Sequence, residues 1–349
     1  MSTRSVDDPP SDIPFLSAFL ERAARAPGLP ALLEKRRGAW SRREWRDVVE
    51  EVDRLASGLT RLGVKRGDVV AIDGEINGRL LLVAAATAAL GALIRSIPTR
   101  ASREDRDRVV DDPSVAAVVG RGREVVAEWT QLSAQGRLIP IVFDHATAGS
   151  RAPAERVVTF ERLRALAPPS GWRERLAALA AGPAPATVWI EETTDWIDGL
   201  DEILNTWVER GVTLALPELL AASDRDRREI EPEAWLASAD TLERAAERIR
   251  ERLPAEGSLS SALVSSTLNG TGRFSGLVLR PRLRALFGLA RLDRIEVHAD
   301  GRRAPSAGAN ELFERLGAPP RIARKDAPAS REGGVGERAS LVAAEGAAS

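Results

Sequence analysis

The sequence has no cysteine and no tyrosine, one methionine, two histidines and only three lysines, Lys35, Lys65 and Lys325, in 349 residues. Without cysteine there is no disulfide, no thiolate nucleophile and no Cys-bound zinc, a composition that fits a reducing compartment. Net charge is scarce as well. The 50 Lys and Arg against 51 Asp and Glu leave −1, and their interleaving gives no basic field for nucleic acid or an anionic membrane. Long apolar runs are also missing. The longest, Leu80 to Ile94, falls short of the roughly 20 residues that cross a bilayer. It reads as a helix buried against a sheet, and no transmembrane segment is expected. The opening residues carry Asp7, Asp8 and Asp12 and no apolar core of signal-peptide length, which points to the cytoplasm.

What is present is enough apolar sequence, 44% of residues, for one large core or two smaller ones. Ser41-Arg-Arg-Glu44 has capping-box spacing, and Trp45, Val48, Val49, Val52, Leu55, Ala56 and Leu59 follow at helical intervals, ending at Gly63. An alternation comes next. Strands are expected at 68–72, 93–97, 115–119 and 138–143, with helices near 80–90, from Ser102 and around 124–132. Short Val/Ile runs separated by helices predict an α/β protein whose parallel sheet is covered on both faces. Pro/Gly punctuation at 167–172 and 181–186 suggests a boundary. Beyond it, strands at 187–190 and 212–216, a helix near 199–209 and a helix stopped by Pro254 form a second unit. The expected division is a first lobe over 1–170, a second over 171–326 and a disordered tail over 327–349.

The run "LGVKRGDVVAIDGEING" from Leu62, with the Trp-containing segment and amphipathic helix before it, resembles the N-terminal lobe of adenylate-forming, AMP-binding enzymes. The resemblance is to the long-chain acyl-CoA synthetase branch. Echoes continue in order through "VTFERLRAL" from Val158, "GVTLALPE" from Gly211, "DRDRREIEPEAW" from Asp224 and "FGLARLDRIEVHADGRRAPSAGANELFERLGAP" from Phe287. The resemblance implies a two-lobed α/β domain with parallel-rich sheets covered by helices. It also implies ATP-dependent activation of a carboxylate, which needs an aligned nucleophile and stabilised phosphate charge.

The motifs that carry this chemistry in the family do not follow. Its Pro-Lys-Gly phosphate loop should precede "GVTLALPE", where the chain reads "AGPAPATVWIEETTDW" with no lysine. The spacing to Gly211 reads as too short for both the loop and the helix after it, hence as a deletion. Glu191, Glu192 and Asp195 would repel a triphosphate if they faced the cleft. Where Tyr-Gly-x-Thr-Glu belongs, the chain reads Arg321 to Pro328, with Ala327 and Pro328 in the Thr and Glu places. The family's ribose motif and its C-terminal domain with a catalytic lysine find no counterpart, so the chain reads as a truncated, degenerate member. Only Gly301 matches the glycine turn that passes the adenine.

Other constellations favour structural roles. "SSTLNGTGRFSG", 265–276, reads as a solvent loop. His145 and His298 lie near Asp144 and Asp300 without a metal-ligand cluster or nucleophile elbow. Adjacent Glu191 and Glu192 should point to opposite faces of a strand, as a solvated charge run, and 224–229 should form a solvated mixed-sign face. Trp207, Trp235 and His298 are candidates for a residual acyl pocket, against the plainer role of aromatics filling a core.

No catalytic or metal-binding residue is assigned. The expected function is a non-catalytic homologue that binds an acyl group or pairs with a paralogous acyl-CoA synthetase, with no cofactor. The alternative is an active fatty acid-CoA ligase using Mg-ATP and CoA through a rebuilt site, or with missing parts supplied by another chain.

Overall fold

Apolar positions three and four apart build the first long helix. In α2 (Trp45–Arg61), Trp45, Val48, Val49, Val52, Leu55, Ala56 and Leu59 are all buried, as the periodicity predicts. The start of the helix differs from expectation. Ser41 lies in strand β2 (Ala39–Glu44), paired antiparallel with β1 (Pro30–Arg36), and the capping box is formed by Glu44 and Asp47. The chemistry is that of the predicted box shifted by three residues, with the Glu44 N–H donating to Asp47 Oδ2 at 3.3 Å.

The computed structural model describes residues 13–135, 139–143, 157–176, 184–254, 273–298 and 304–323, with Ser258, Val264 and Ser266. Strands β3 (Val69–Asp73), β4 (Leu93–Ile97), β5 (Val115–Gly120), β6 (Ile141–Phe143) and β7 (Val157–Thr159) form a parallel sheet in the order β4-β3-β5-β6-β7. Strands β8 (Thr187–Trp189), β9 (Thr213–Leu216), β10 (Ala234–Ser238), β11 (Arg294–His298) and β12 (Pro320–Ala323) join the first hairpin. Their seven-stranded order is β12-β11-β10-β8-β9-β1-β2, parallel except for the β1–β2 pair. Residues 30–44 therefore belong with 187–323, so the two sheets do not divide the chain at a single point.

Period-two alternation sends each strand's side chains to two different cores. Val70, Ile72, Ala117 and Val119 of one sheet, and Val188, Ile190, Leu214, Leu216 and Leu236 of the other, meet a shared inner layer of helices. That layer is α1 (Pro14–Arg25), α2, α3 (Gly78–Ala89) and α7 (Gly199–Arg210). Val69, Ala71 and Val118 face outward to α4 (Arg103–Asp111) and α5 (Arg123–Gln135). Trp189, Ala215, Trp235 and Ala237 face outward to α9 (Ala239–Arg252) and the helices Arg273–Leu286 and Ala307–Arg315. The result is five layers, helix-sheet-helix-sheet-helix. Two short helices, α6 (Phe160–Ala165) and α8 (Ser223–Ile230), and two 3-10 turns, Arg173–Arg175 and Leu220–Ala222, complete the described elements. Arg273–Gly276, expected within a solvent loop, instead form the first turn of the helix that runs to Leu286. The rest of that predicted loop, apart from Ser266, lies outside the described residues, as do His145 and the tail from Ala327.

Helix α2 crosses α6 so closely that a Cβ on Gly58 would sit 2.2 Å from the Leu163 carbonyl oxygen. Helix propensity alone favours alanine over glycine by about 1 kcal/mol, so the sign of a substitution is diagnostic. Gly58→Ala is expected to lower stability by about 1–3 kcal/mol through overpacking, read as a fall in urea midpoint at unchanged m-value. A rise in midpoint would mean that the two helices part without cost.

Candidate functional site

In open parallel sheets a ligand site forms outside the carboxyl ends of strands where the winding reverses. Each sheet here has such a point. The chain leaves β8 for β9 on one side and then places β10 on the other, and it leaves β3 for β4 before placing β5 on the opposite side. The two switch points face each other and are joined by backbone. Ile76 N–H donates to Glu192 O at 2.8 Å and Thr194 N–H to Gly74 O at 3.0 Å. The Thr194 hydroxyl donates to Ile97 O at 2.6 Å and accepts from Gly74 N–H at 3.0 Å. Gly74, at φ 139°, is required here, because a Cβ would fall 2.8 Å from that of Arg121.

Beside this seam lies a cleft of about 910 Å³, lined by Thr99, Arg100, Thr193, Asp195, Asp240 and Arg244 among others. Its floor is the loop from Ile190 to Asp198, joining β8 to α7. The expected deletion is not what the structure has. A connecting loop and a full helix, Gly199–Arg210, both fit before Gly211, which ends α7 in the left-handed conformation at φ 63°.

What sets this loop apart is its filling: no glycine, lysine or arginine, but Glu191, Glu192, Asp195 and Asp198. Asp195 accepts from Thr99 N–H at 2.7 Å and from the hydroxyls of Thr99 and Thr193. The N-terminus of α7 is closed as well. The Trp196 indole packs where a Gly199 Cβ would stand, within 2.6–2.7 Å, and Asp201 and Glu202 occupy the first turn. A helix start that is covered and already flanked by carboxylates does not offer the positive end that anions use elsewhere.

The two adjacent glutamates are both buried, which corrects the expectation of a solvated charge run. Glu191 accepts from Trp189 Nε1 at 2.8 Å, from the Ser223 hydroxyl, from Arg227 Nη1 at 2.9 Å and from Arg248 Nη2 at 2.8 Å. Asp224 pairs with the same two arginines and with Arg252. Burial pushes the Asp224 carboxyl up, but Arg227 and Arg248 outweigh it and hold it below the usual carboxylate range. Asp224, Asp226 and Arg227 are all buried, so 224–229 is not a solvated face either; Asp226 pairs with buried Lys35 at 2.9 Å.

Glu192 points into the seven-stranded sheet's switch point. Its carboxylate accepts from Ser238 N–H at 2.7 Å and from the Ser238 and Thr241 hydroxyls, both at 2.9 Å, at the start of α9. Burial pushes its pKa up to about 7 against the opposing pull of these donors and of Arg244. At the end of β3, Asp73 is likewise buried. Desolvation raises its pKa against Trp129 and Arg106, which both bond to it.

A family model described as AMP-binding enzyme matches residues 19–179. That stretch is similar to the AMP-binding enzymes. No curated protein matches the chain significantly. Among solved structures, a carboxylic acid reductase didomain from Segniliparus rugosus in complex with AMP matches 88% of this chain and 51% of its own at TM-score 0.60 and 13% identity. Acetoacetyl-CoA synthetase from Streptomyces lividans matches 88% and 50% at TM-score 0.55 and 18% identity. A long-chain-fatty-acid-CoA ligase from Archaeoglobus fulgidus matches 87% and 60% at TM-score 0.58 and 10% identity. At these identities the likeness is one of fold. The chain spans about half the length of the first two.

The three predicted pocket residues do not share one environment. Trp207 lies in the inner core, stacked on Trp45 at 5.1 Å with its indole N–H donating to Ala31 O at 2.9 Å. Trp235 lies on the opposite side of the sheet, in the outer core against Phe313 and under the Arg227 guanidinium at 4.3 Å. His298 ends β11, with its ring 6.0 Å from Trp196 and Nδ1 3.3 Å from Glu202. Gly301 lies outside the described residues. Sequence reasoning missed the buried acid–arginine network, whose one legible signal was the pairing of two carboxylates with an Arg-rich segment after the next strand. Among the described residues no group of His, Asp and Glu could hold a metal ion, and no helix is long and apolar enough to cross a membrane.

Proposed function

We propose that this member of the AMP-binding enzymes binds without adenylating: it keeps the fold and the cleft and presents them to an acyl group or a partner protein. The observation that carries the reading is the β8–α7 loop. A triphosphate laid on it would meet Asp195 and the closed, acid-flanked start of α7 in place of N–H donors and a cation. Two like charges 4 Å apart near a protein surface repel by about 4 kcal/mol, and the loop supplies no lysine or arginine to offset that.

The test is thermal denaturation with and without Mg-ATP, together with a pyrophosphate-release assay over fatty and aromatic acids. A ligand at 100 times its dissociation constant adds about 2.7 kcal/mol of stability, an effect readily seen as a rise in Tm. The expected result is no rise with millimolar Mg-ATP, no pyrophosphate, and a rise with a free acyl ligand or acyl-CoA in the absence of ATP. Pyrophosphate release with any acid would sink the proposal and favour an active ligase.

A further inference from the structure

A second concave site lies away from the cleft, between the first hairpin and helices α2, α3 and α6. It encloses about 500 Å³ and is lined by five arginines, Arg36, Arg43, Arg54, Arg79 and Arg164, with four carboxylates and Phe160. The carboxylates are already engaged. Glu161 pairs with Arg79 at 2.7 Å and with Arg164 at 3.0 Å, Glu51 with Arg164 at 2.7 Å, and Glu50 with Arg54 at 2.8 Å. Asp47 accepts the Glu44 N–H in the capping box of α2. The side chains of Arg36 and Arg43 are left with no ion pair or hydrogen bond to any described residue.

Their placement follows from strand register. Arg43 stands opposite Leu32, whose side chain is in the inner core, so Arg43 is on the face of the hairpin turned toward α2 and α3. Arg36 lies two residues past Glu34 on that same face, where Glu34 accepts the Gly78 N–H at the start of α3. Deeper in the site Arg79 is held rigidly, its side chain 12% exposed and its guanidinium 4.9 Å above the Phe160 ring. Two unmatched guanidinium groups beside a third that is fixed create a local positive potential in a space of small-molecule size. Guanidinium forks match the oxygens of a tetrahedral oxyanion better than any other side chain.

We infer that this groove is a binding site for a phosphate-class oxyanion, free or as a small phosphomonoester, held between Arg36 and Arg43. The site is independent of the cleft and of the function proposed for it.

The test is calorimetric titration of the full chain with inorganic phosphate and, separately, with glycerol 3-phosphate. Both are run at low ionic strength, where the Debye length reaches about 30 Å. The double variant Arg36→Gln with Arg43→Gln is compared with a charge-matched control, Arg25→Gln with Arg315→Gln, whose arginines sit in exposed helical ion pairs. The expected result is saturable binding by the wild type and the control, weakened about tenfold or more in the Arg36/Arg43 variant, since charged hydrogen bonds are lost. Neither side chain holds an ion pair or hydrogen bond that folding would miss, so the melting temperature of that variant should match the control's. The tighter of the two ligands identifies whether the oxyanion is taken free or as an ester. No saturable binding of either, or equal binding by the two double variants, overturns the inference.

Discussion

Arg227→Met is expected to destabilise the protein by about 3 kcal/mol, the lower part of the range for removing one partner of a buried ion pair. Arg227 has no exposed side-chain surface. It is bonded to Glu191 and Asp224 and donates twice to Phe287 O, at 3.2 and 3.0 Å. Methionine fills much of the same volume but strips those acceptors of a donor and removes the cation from the face of Trp235, an interaction worth about 2 kcal/mol or more when desolvated. The cost stays below the upper end of the range because Arg248 still reaches Glu191 and Asp224, and Arg252 still reaches Asp224. Arg252 supplies the control. Its side chain is 47% exposed, so Arg252→Ala should change stability by no more than about 1 kcal/mol. Urea unfolding of the two variants, read at the midpoint, separates these expectations. Equal losses would mean that burial does not decide the energetics of this network.

The same network shows where the sequence is legible and where it is not. Apolar spacing in Trp45–Leu59 and the Val/Ile runs of β3 and β5 place helix and strand directly, because their periods depend only on neighbours along the chain. Parallel pairing follows, and so does a two-sided cover. Strand β2 is harder to read. Ala39-Trp-Ser-Arg-Arg-Glu44 has neither a clean alternation nor an apolar run, and it is a strand because β1 pairs with it and because Trp40 packs against Trp189 and donates to Glu229. Glu191 and Glu192 are illegible for a related reason. Adjacency predicts opposite directions, and the two carboxylates do have separate partners, Arg227 and Arg248 for one and Ser238 and Thr241 for the other. Whether those directions lead to water depends on Arg227, Arg248, Ser238 and Thr241, residues brought there by the crossovers. The tryptophans repeat the lesson. Trp207 and Trp235 look like companions along the chain, yet one is on a helix inside the sheet and the other points out of its far side.

Replacing Glu192 with glutamine should change how stability depends on pH near neutrality. The carboxyl is fully buried at the joint of the two sheets and its pKa rises from 4.5 to about 7, chiefly because burial penalises the charge. In the unfolded chain the same group ionises near its ordinary value, so between pH 4.5 and 7 the folded state holds a proton that the unfolded state has lost. Stability contributed by this group is therefore complete below pH 4.5 and falls as pH rises through 7. One pKa unit corresponds to 1.36 kcal/mol, so the fall amounts to about 3 kcal/mol across this window. Above pH 7 the charge persists on the Ser238 and Thr241 donors that cap α9. A glutamine side chain at this position cannot ionise, and its carbonyl oxygen still accepts from Ser238 while its amide can donate to the Thr241 hydroxyl. The expected outcome is that wild-type stability, measured relative to Glu192→Gln, declines by about 3 kcal/mol from pH 4.5 to 7 and then levels off. Taking the difference cancels Asp73, whose carboxyl is also raised by burial and is present in both proteins. A difference that stays constant over the whole range would show that Glu192 ionises in the folded protein as it does in water, and that three short hydrogen bonds at the helix start suffice to hold a full charge in the interior.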